Sequence, residues 1–132
     1  IPSKSLREAI LDLTDFYKQG VSWLVAAHEI SYIRPAAYNE QVSVMSAIIK
    51  LEPGSLLVEM LMMNEDYTHF KSLLWTRFIH VNVKSGKREK HTDTFMDFAR
   101  SIEVNEVDLE KGYQYRLKEI IENIKQGKIP KP

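Results

Sequence analysis

The chain has 132 residues, 44% of them hydrophobic, and its 18 basic side chains balance 18 acidic ones. This length predicts one domain that buries roughly two-thirds of its unfolded surface, and zero net charge gives no overall attraction to nucleic acid or to an anionic membrane. The lack of cysteine excludes disulfides and a cysteine nucleophile and fits a cytoplasmic protein, and no apolar run approaches the roughly 20 residues that span a bilayer.

The first predicted element is a helix over residues 3–19. Ser5 and Glu8 have the spacing of a capping box, in which each side chain binds an amide of the first turn. Gly20 is suited to the position after the last turn. The apolar residues of this segment recur at helical spacing and predict one buried face: Leu6, Ile10, Leu13 and Tyr17.

Four long strands joined by tight turns are predicted next, over 21–33, 41–52, 56–63 and 68–83. Pro35 ends the first, because proline has no amide to donate. Strict alternation along this strand places His28, Ile30 and Tyr32 on the face opposite Trp23. Sequential strands of this kind form an antiparallel meander.

The last third of the chain is less regular. The pattern predicts a short strand around residues 94–98 and a final helix that Asn105 caps and that runs to about Gln126, where Gly127 ends it. A long antiparallel sheet wrapped around one apolar helix is the hotdog architecture, an α+β fold. We therefore predict a hotdog domain over 1–100 and a C-terminal helical extension over 101–132.

Two segments strengthen this interpretation. Residues 20–38, which contain Tyr32-Ile33-Arg34-Pro35-Ala36, and residues 77–87, which end in Lys84-Ser85-Gly86-Lys87, resemble hotdog acyl-CoA thioesterases of the 4-hydroxybenzoyl-CoA thioesterase type. The resemblance implies hydrolysis of a thioester of coenzyme A or of acyl carrier protein by a homodimer or homotetramer. It implies no separate cofactor, since coenzyme A is part of the substrate.

In that family the carboxylate that attacks the thioester, or activates water for it, precedes the helix in a Gly-His-x-Asn-Asn-like segment. This chain begins at Ile1, directly before the helix. A hotdog sheet without its first strand would expose unpaired backbone, so we expect further sequence upstream of Ile1 to carry the usual acid.

Two residues of the given sequence are candidates for catalysis. Glu8 is an acid early on the helix, although it also fits the capping box with Ser5. His28 could polarise the thioester carbonyl or orient water, or it could be an ordinary half-buried strand histidine. The four histidines show no metal-ligand spacing, and we expect no metal site.

Candidates for substrate binding lie at the two ends of the sheet. Tyr32 and Arg34 lie where the first strand ends, and Arg34 could hold a phosphate of coenzyme A or pair with Glu40. Cations cluster after the fourth strand, either as a phosphate site or as a solvated turn: Lys84, Lys87, Arg88 and Lys90.

The sequence leaves two other functions open. One is a non-catalytic module that binds acyl thioesters on the same fold. The other is a hotdog dehydratase, which ranks last because it needs a histidine paired with an acid near the helix.

Overall fold

The computed structural model describes residues 21–128, so the helix predicted over 3–19 lies outside the described part. The four predicted strands are confirmed, with their ends moved by one or two residues. The elements are β1 (Val21–Tyr32), β2 (Val42–Leu51), β3 (Ser55–Asn64), β4 (Phe70–Asn82), α1 (Asp93–Ile102), a 3-10 turn (Leu109–Lys111) and α2 (Gly112–Lys125).

The strands form one antiparallel sheet in the order β1-β4-β3-β2. Each connection from β2 onward is a hairpin, whereas β1 lies beside β4, at the far side from β2. The long connection from β1 to β2 therefore crosses one end of the sheet. Among the described residues, β1 and β2 are the two edge strands.

A β-bulge changes the faces of β1 from those that strict alternation predicts. Val25 pairs with Phe78, and Ala27 pairs with the next residue, Arg77, so Ala26 is the extra residue. One extra residue moves the following side chains to the other face. Trp23 therefore shares a face with His28, Ile30 and Tyr32, and the predicted separation was wrong.

The C-terminal helix α2 covers the sheet face that we call the α2 face. Tyr113 and Ile120 are buried on it together with sheet residues of β2, β3 and β4. The main members of this core are Met45, Ile49, Leu57, Leu61, Met63, Phe70, Leu73 and Trp75. The helical segment thus shares its core with the sheet, while the boundary drawn at residue 101 stays a prediction.

Helix α2 begins later than the sequence pattern predicts. The segment before it forms a 3-10 turn, and Gly112, where the turn meets the helix, has φ 84° and ψ 178°. A backbone in that conformation cannot continue a helix from Asn105, so the predicted cap at Asn105 was wrong. The end of the helix at Gly127, with φ 75°, is confirmed.

Residues 93–102 form helix α1 and not the short strand predicted around 94–98. The Thr92 side chain accepts a hydrogen bond from the Phe95 amide at 3.1 Å, which caps the first turn. Phe95 and Ala99 are buried one turn apart against Leu56, on the face opposite α2. The apolar residues of this segment thus follow the helical period of 3.6.

The end of α1 is tied to the outer edge of β2. The Leu51 amide donates to the Glu103 carboxylate at 3.1 Å, and the Val104 amide donates to the Ile48 carbonyl at 2.8 Å. These bonds pair the second half of an edge strand that would otherwise present its amides to solvent.

A carboxylate buried in the sheet fixes α2. Glu59, only 7% exposed, accepts two parallel hydrogen bonds from Arg116 of α2, each 2.9 Å long. The Trp75 indole donates to the same carboxylate at 2.9 Å. Because Glu119 also pairs with Arg116 at 2.7 Å, the helix is held laterally by a small charged network.

The first turn of α2 also holds β1. The Tyr113 hydroxyl donates to the Leu73 carbonyl at 2.8 Å, which leaves its oxygen to accept from the Ser31 hydroxyl, also at 2.8 Å. Burial raises the pKa of Tyr113, and the negative charges of Glu29 and Glu59 add to this effect. The phenol therefore stays neutral and keeps the proton that it donates.

We expect Arg116→Met to lower the free energy of unfolding by about 3 kcal/mol, because it leaves a buried carboxylate without its charged partner. Urea titration followed by circular dichroism measures this. The exposed Lys118 lies two residues further along α2, and Lys118→Met should cost no more than about 0.5 kcal/mol. Equal losses in the two variants would contradict a structural role for the Glu59–Arg116 pair.

Candidate functional site

The outer strand β1 carries an exposed surface that is largely apolar. Val25 is 57% exposed, Ile30 is 42% exposed and Tyr32 is 79% exposed. His28 is exposed among them, opposite Thr76 of β4. The bulge at Ala26 is what brings His28 and Tyr32 onto one face with Trp23.

Arg34 lies at the end of this surface, beyond the last residue of β1. The amides of Ile33 and Arg34 both donate to the Lys71 carbonyl, at 2.7 and 3.2 Å. Glu40 pairs with the Lys71 ammonium at 2.9 Å, and among the described residues no ion pair joins Arg34 to Glu40. The Arg34 side chain is exposed at this end of the sheet.

The cation cluster lies on an ordered turn at the other end of the sheet. The Asn82 side chain accepts from the amides of Lys84 and Ser85, at 2.9 and 3.0 Å, and Gly86 adopts φ 68°. These bonds hold the backbone while the side chains extend into solvent. The four exposed cations, which we call the basic turn, are Lys84, Lys87, Arg88 and Lys90.

The two groups of predicted binding residues are therefore far apart in one chain. Val21 pairs with Asn82, beside the basic turn, and Tyr32 pairs with Ser72 at the opposite end. Eleven steps along a strand span roughly 36 Å. The structure brings Tyr32 close to Arg34, but it does not bring either of them near Lys84, Lys87 or Arg88 within one chain.

Sequence reasoning missed a buried aromatic cluster between β1, β4 and α1. His80 is 1% exposed, and its ring centroid lies 4.9 Å from that of His91 and 5.2 Å from that of Trp23. Phe95 packs on Trp23 at 4.7 Å. One feature of the sequence could have indicated this cluster. His80 stands inside the apolar run of β4, and a histidine in such a position is typically buried with a hydrogen-bond partner.

Both ring nitrogens of His91 are used, and this fixes its neutral form. Nδ1 donates to the Glu52 carbonyl at 3.0 Å, and Nε2 accepts from the Trp23 indole at 3.1 Å. Burial and, to a smaller extent, the neighbouring His80 lower the pKa of His91 to about 4, against a still smaller opposing effect of the Glu52 carbonyl. A proton added at Nε2 would remove the acceptor for Trp23.

We expect stability to fall as the pH drops from 6.5 towards 4. In that range the unfolded His91 binds a proton while the folded one stays neutral, so acid favours the unfolded state. The loss should reach about 2 kcal/mol, allowing for partial solvent screening. Urea titrations across this range measure it. His91→Gln keeps one donor and one acceptor and should remove this part of the pH dependence; an unchanged slope would contradict the assignment.

The remaining predicted site residue, Glu8, lies outside the described residues. Within residues 21–128 no three histidine or acidic side chains stand close enough together to hold a metal ion. In the same range no helix has both the length and the apolar character that crossing a bilayer requires.

Solved structures share this fold at low sequence identity. A predicted thioesterase from Bacillus stearothermophilus matches with a TM-score of 0.66 and 16% identity over 76% of each chain. Slr0204, a 1,4-dihydroxy-2-naphthoyl-CoA thioesterase from Synechocystis, matches with 0.62 and 11% identity over 74% of this chain and 72% of that one. A DHNA-CoA thioesterase from Staphylococcus aureus matches with 0.61 and 18% identity over 89% and 68%.

No protein-family model matches the sequence, and no curated protein does. At these identities the structural matches establish the fold: the chain is an α+β protein with the antiparallel sheet of the hotdog fold and an additional C-terminal helix.

Proposed function

We propose that the chain is a thioester hydrolase that acts on acyl thioesters of coenzyme A or of acyl carrier protein. The observation that carries this proposal is the shared fold with solved structures described as thioesterases. The exposed apolar surface of β1, with cations near both of its ends, supports a substrate that has an acyl group and a phosphate-bearing carrier.

A second copy of the chain would complete the site. β1 is an edge strand of the described sheet, and antiparallel pairing of two β1 strands would set the end of one beside the start of the other. Arg34 and Tyr32 of one protomer would then lie near Lys84, Lys87 and Arg88 of its partner. This arrangement reunites the two groups that a single chain keeps roughly 36 Å apart, and it supports a homodimer as the active unit.

In such a dimer the middle of β1 lies at the seam between the subunits. His28 is close to that middle and would orient water or polarise the thioester carbonyl. Water adds to the carbonyl carbon, the carbon–sulfur bond breaks, and the thiol leaves with a proton. We propose Glu8 as the carboxylate that takes the proton from water.

We expect the protein to release free thiol from at least one member of a panel of short, aromatic and long acyl-CoAs. His28→Gln should lower kcat by about a hundredfold or more, within the range of general acid–base catalysis. His69 is exposed in the turn before β4, and the matched variant His69→Gln should keep full activity. Thiol release is followed with a chromogenic thiol reagent.

Three other results have distinct meanings. Turnover that His28→Gln leaves unchanged would exclude His28 from the reaction. Saturable binding of acyl-CoA without turnover would favour the non-catalytic binding module. A protein that neither binds nor hydrolyses any acyl thioester of coenzyme A or of acyl carrier protein would contradict the proposal.

We also expect Ile30→Lys to convert a dimer into monomers, because each protomer would then place an unpaired ammonium group in an apolar interface. Sedimentation velocity at micromolar concentration measures the mass. Tyr38 is 95% exposed and lies outside β1, so Tyr38→Lys serves as the control and should stay dimeric. An Ile30→Lys variant that keeps the mass of the parent protein would place the interface elsewhere.

A further inference from the structure

A cleft of about 230 Å³ opens on the α2 face, beside the 3-10 turn that precedes α2. Its floor is one row of paired residues that crosses the whole sheet. Lys50 lies opposite Leu57, Leu57 lies opposite Arg77, and Arg77 lies opposite Ala27. Leu109 of the 3-10 turn also lines the cleft.

One side of the cleft has an excess of positive charge, because two cations, Arg77 and Lys50, share one carboxylate, Glu52. The Arg77 Nη1 donates to Glu52 at 2.9 Å, while the Lys50 ammonium lies 3.8 Å from the same oxygen, beyond hydrogen-bond distance. The hydrogen bond from Arg77 lowers the pKa of Glu52, with further lowering by Lys50 against the opposing effect of burial. The three groups thus carry a net charge of about +1 at neutral pH.

The rest of the cleft is apolar except at its far side, where His28 and Glu29 of β1 line it. Leu57 is 8% exposed and Trp75 is 7% exposed. The indole nitrogen of Trp75 is already bound to Glu59, so this ring offers carbon surface to a ligand. Glu29 lies opposite Trp75 on the edge strand and is exposed, and it places a negative charge across the apolar floor from the cations.

We propose that this cleft binds a small organic monocarboxylate. The carboxylate sits between Arg77 and Lys50, which have donors to spare, and the apolar part of the ligand lies over Leu57 and Trp75. The charge of Glu29 repels a second carboxylate at the far end. The volume is below the roughly 300–1,000 Å³ of pockets for drug-sized ligands, which suits an acid of a few carbons. Binding of the monocarboxylate needs no hydrolysis, so the cleft and the proposed hydrolase are tested separately.

The probe for the test is hexanoate, added to the intact, uniformly ¹⁵N-labelled protein and followed by two-dimensional NMR. We expect saturable shifts confined to the amides of the row Ala27–Arg77–Leu57–Lys50 and to the Trp75 indole. Hexan-1-ol, which has the same chain and no charge, should bind at least about tenfold more weakly. Shifts that do not saturate, that spread over all surface cations, or that hexan-1-ol reproduces equally would overturn the proposal.

Four variants separate binding in the cleft from general charge effects. Arg77→Gln should weaken hexanoate binding about tenfold or more, while Arg100→Gln, on the exposed last turn of α1, should leave it unchanged. Lys50→Gln keeps the Arg77–Glu52 pair and should also weaken hexanoate binding. Agreement between the two variants would show that the loss in Arg77→Gln does not come from a folding defect. Glu29→Gln should strengthen binding of adipate, a dicarboxylate, severalfold more than that of hexanoate. Equal affinities in Arg77→Gln, Lys50→Gln and Arg100→Gln would contradict the site.

Discussion

A negative charge buried in the middle of the sheet is the constraint on which the rest of this structure depends. Glu59 is buried against the apolar core of the α2 face, and an ionised carboxylate there is costly unless it is fully paired. Arg116 supplies two parallel hydrogen bonds and Trp75 a third. The helix that carries Arg116 can satisfy this carboxylate in one position only, so the pair selects where α2 lies as well as stabilising it.

The position of α2 in turn determines what the edge strand can do. Tyr113 extends from the first turn of α2 to Ser31 and to the Leu73 carbonyl. One face of β1 is thereby held by the helix, while its outer edge and, on the other face, the side chains of Val25 and Tyr32 remain exposed. A strand that is firmly held on one side and exposed on the other is suited to association, and the same clamp leaves room beside Leu109 for the cleft on the α2 face.

The four strands followed directly from the sequence, because turn residues separate runs of period two, and the end of α2 followed from Gly127. Other features could not be predicted from local pattern. No residue type marks Ala26 as a bulge, yet this single insertion decides the face on which His28 lies. Glu59 looks like an exposed strand residue until its partner, 57 positions away, is known.

The sequence identified the charged residues of the candidate site but did not predict how they are arranged in space. Arg34 and the basic turn were both found, whereas their separation follows from the pairing of β1 with β4, which a linear pattern does not contain. The pair formed by Glu40 and Lys71 was missed for the same reason. The cluster of Trp23, His80 and His91 depends on the pairing of β1 with β4 and on the segment that leads into helix α1, and the sequence pattern predicted neither.

The bonds that tie Glu103 and Val104 to β2 also bear on how such a sheet could grow. If the β1 and β2 edges were both open and similar in length, the β1 edge of one chain could pair with the β2 edge of the next. Such a heterologous, head-to-tail contact can repeat without forming a closed assembly. The described edges are unequal. On β2, Glu103 and Val104 already bind the backbone between Ile48 and Leu51, so only residues 42–47 can pair with another strand. On β1 the full length, Val21–Tyr32, can do so. Two β1 edges therefore match in length better than a β1 edge and a β2 edge do. This favours a closed pair of chains over an open-ended fibre.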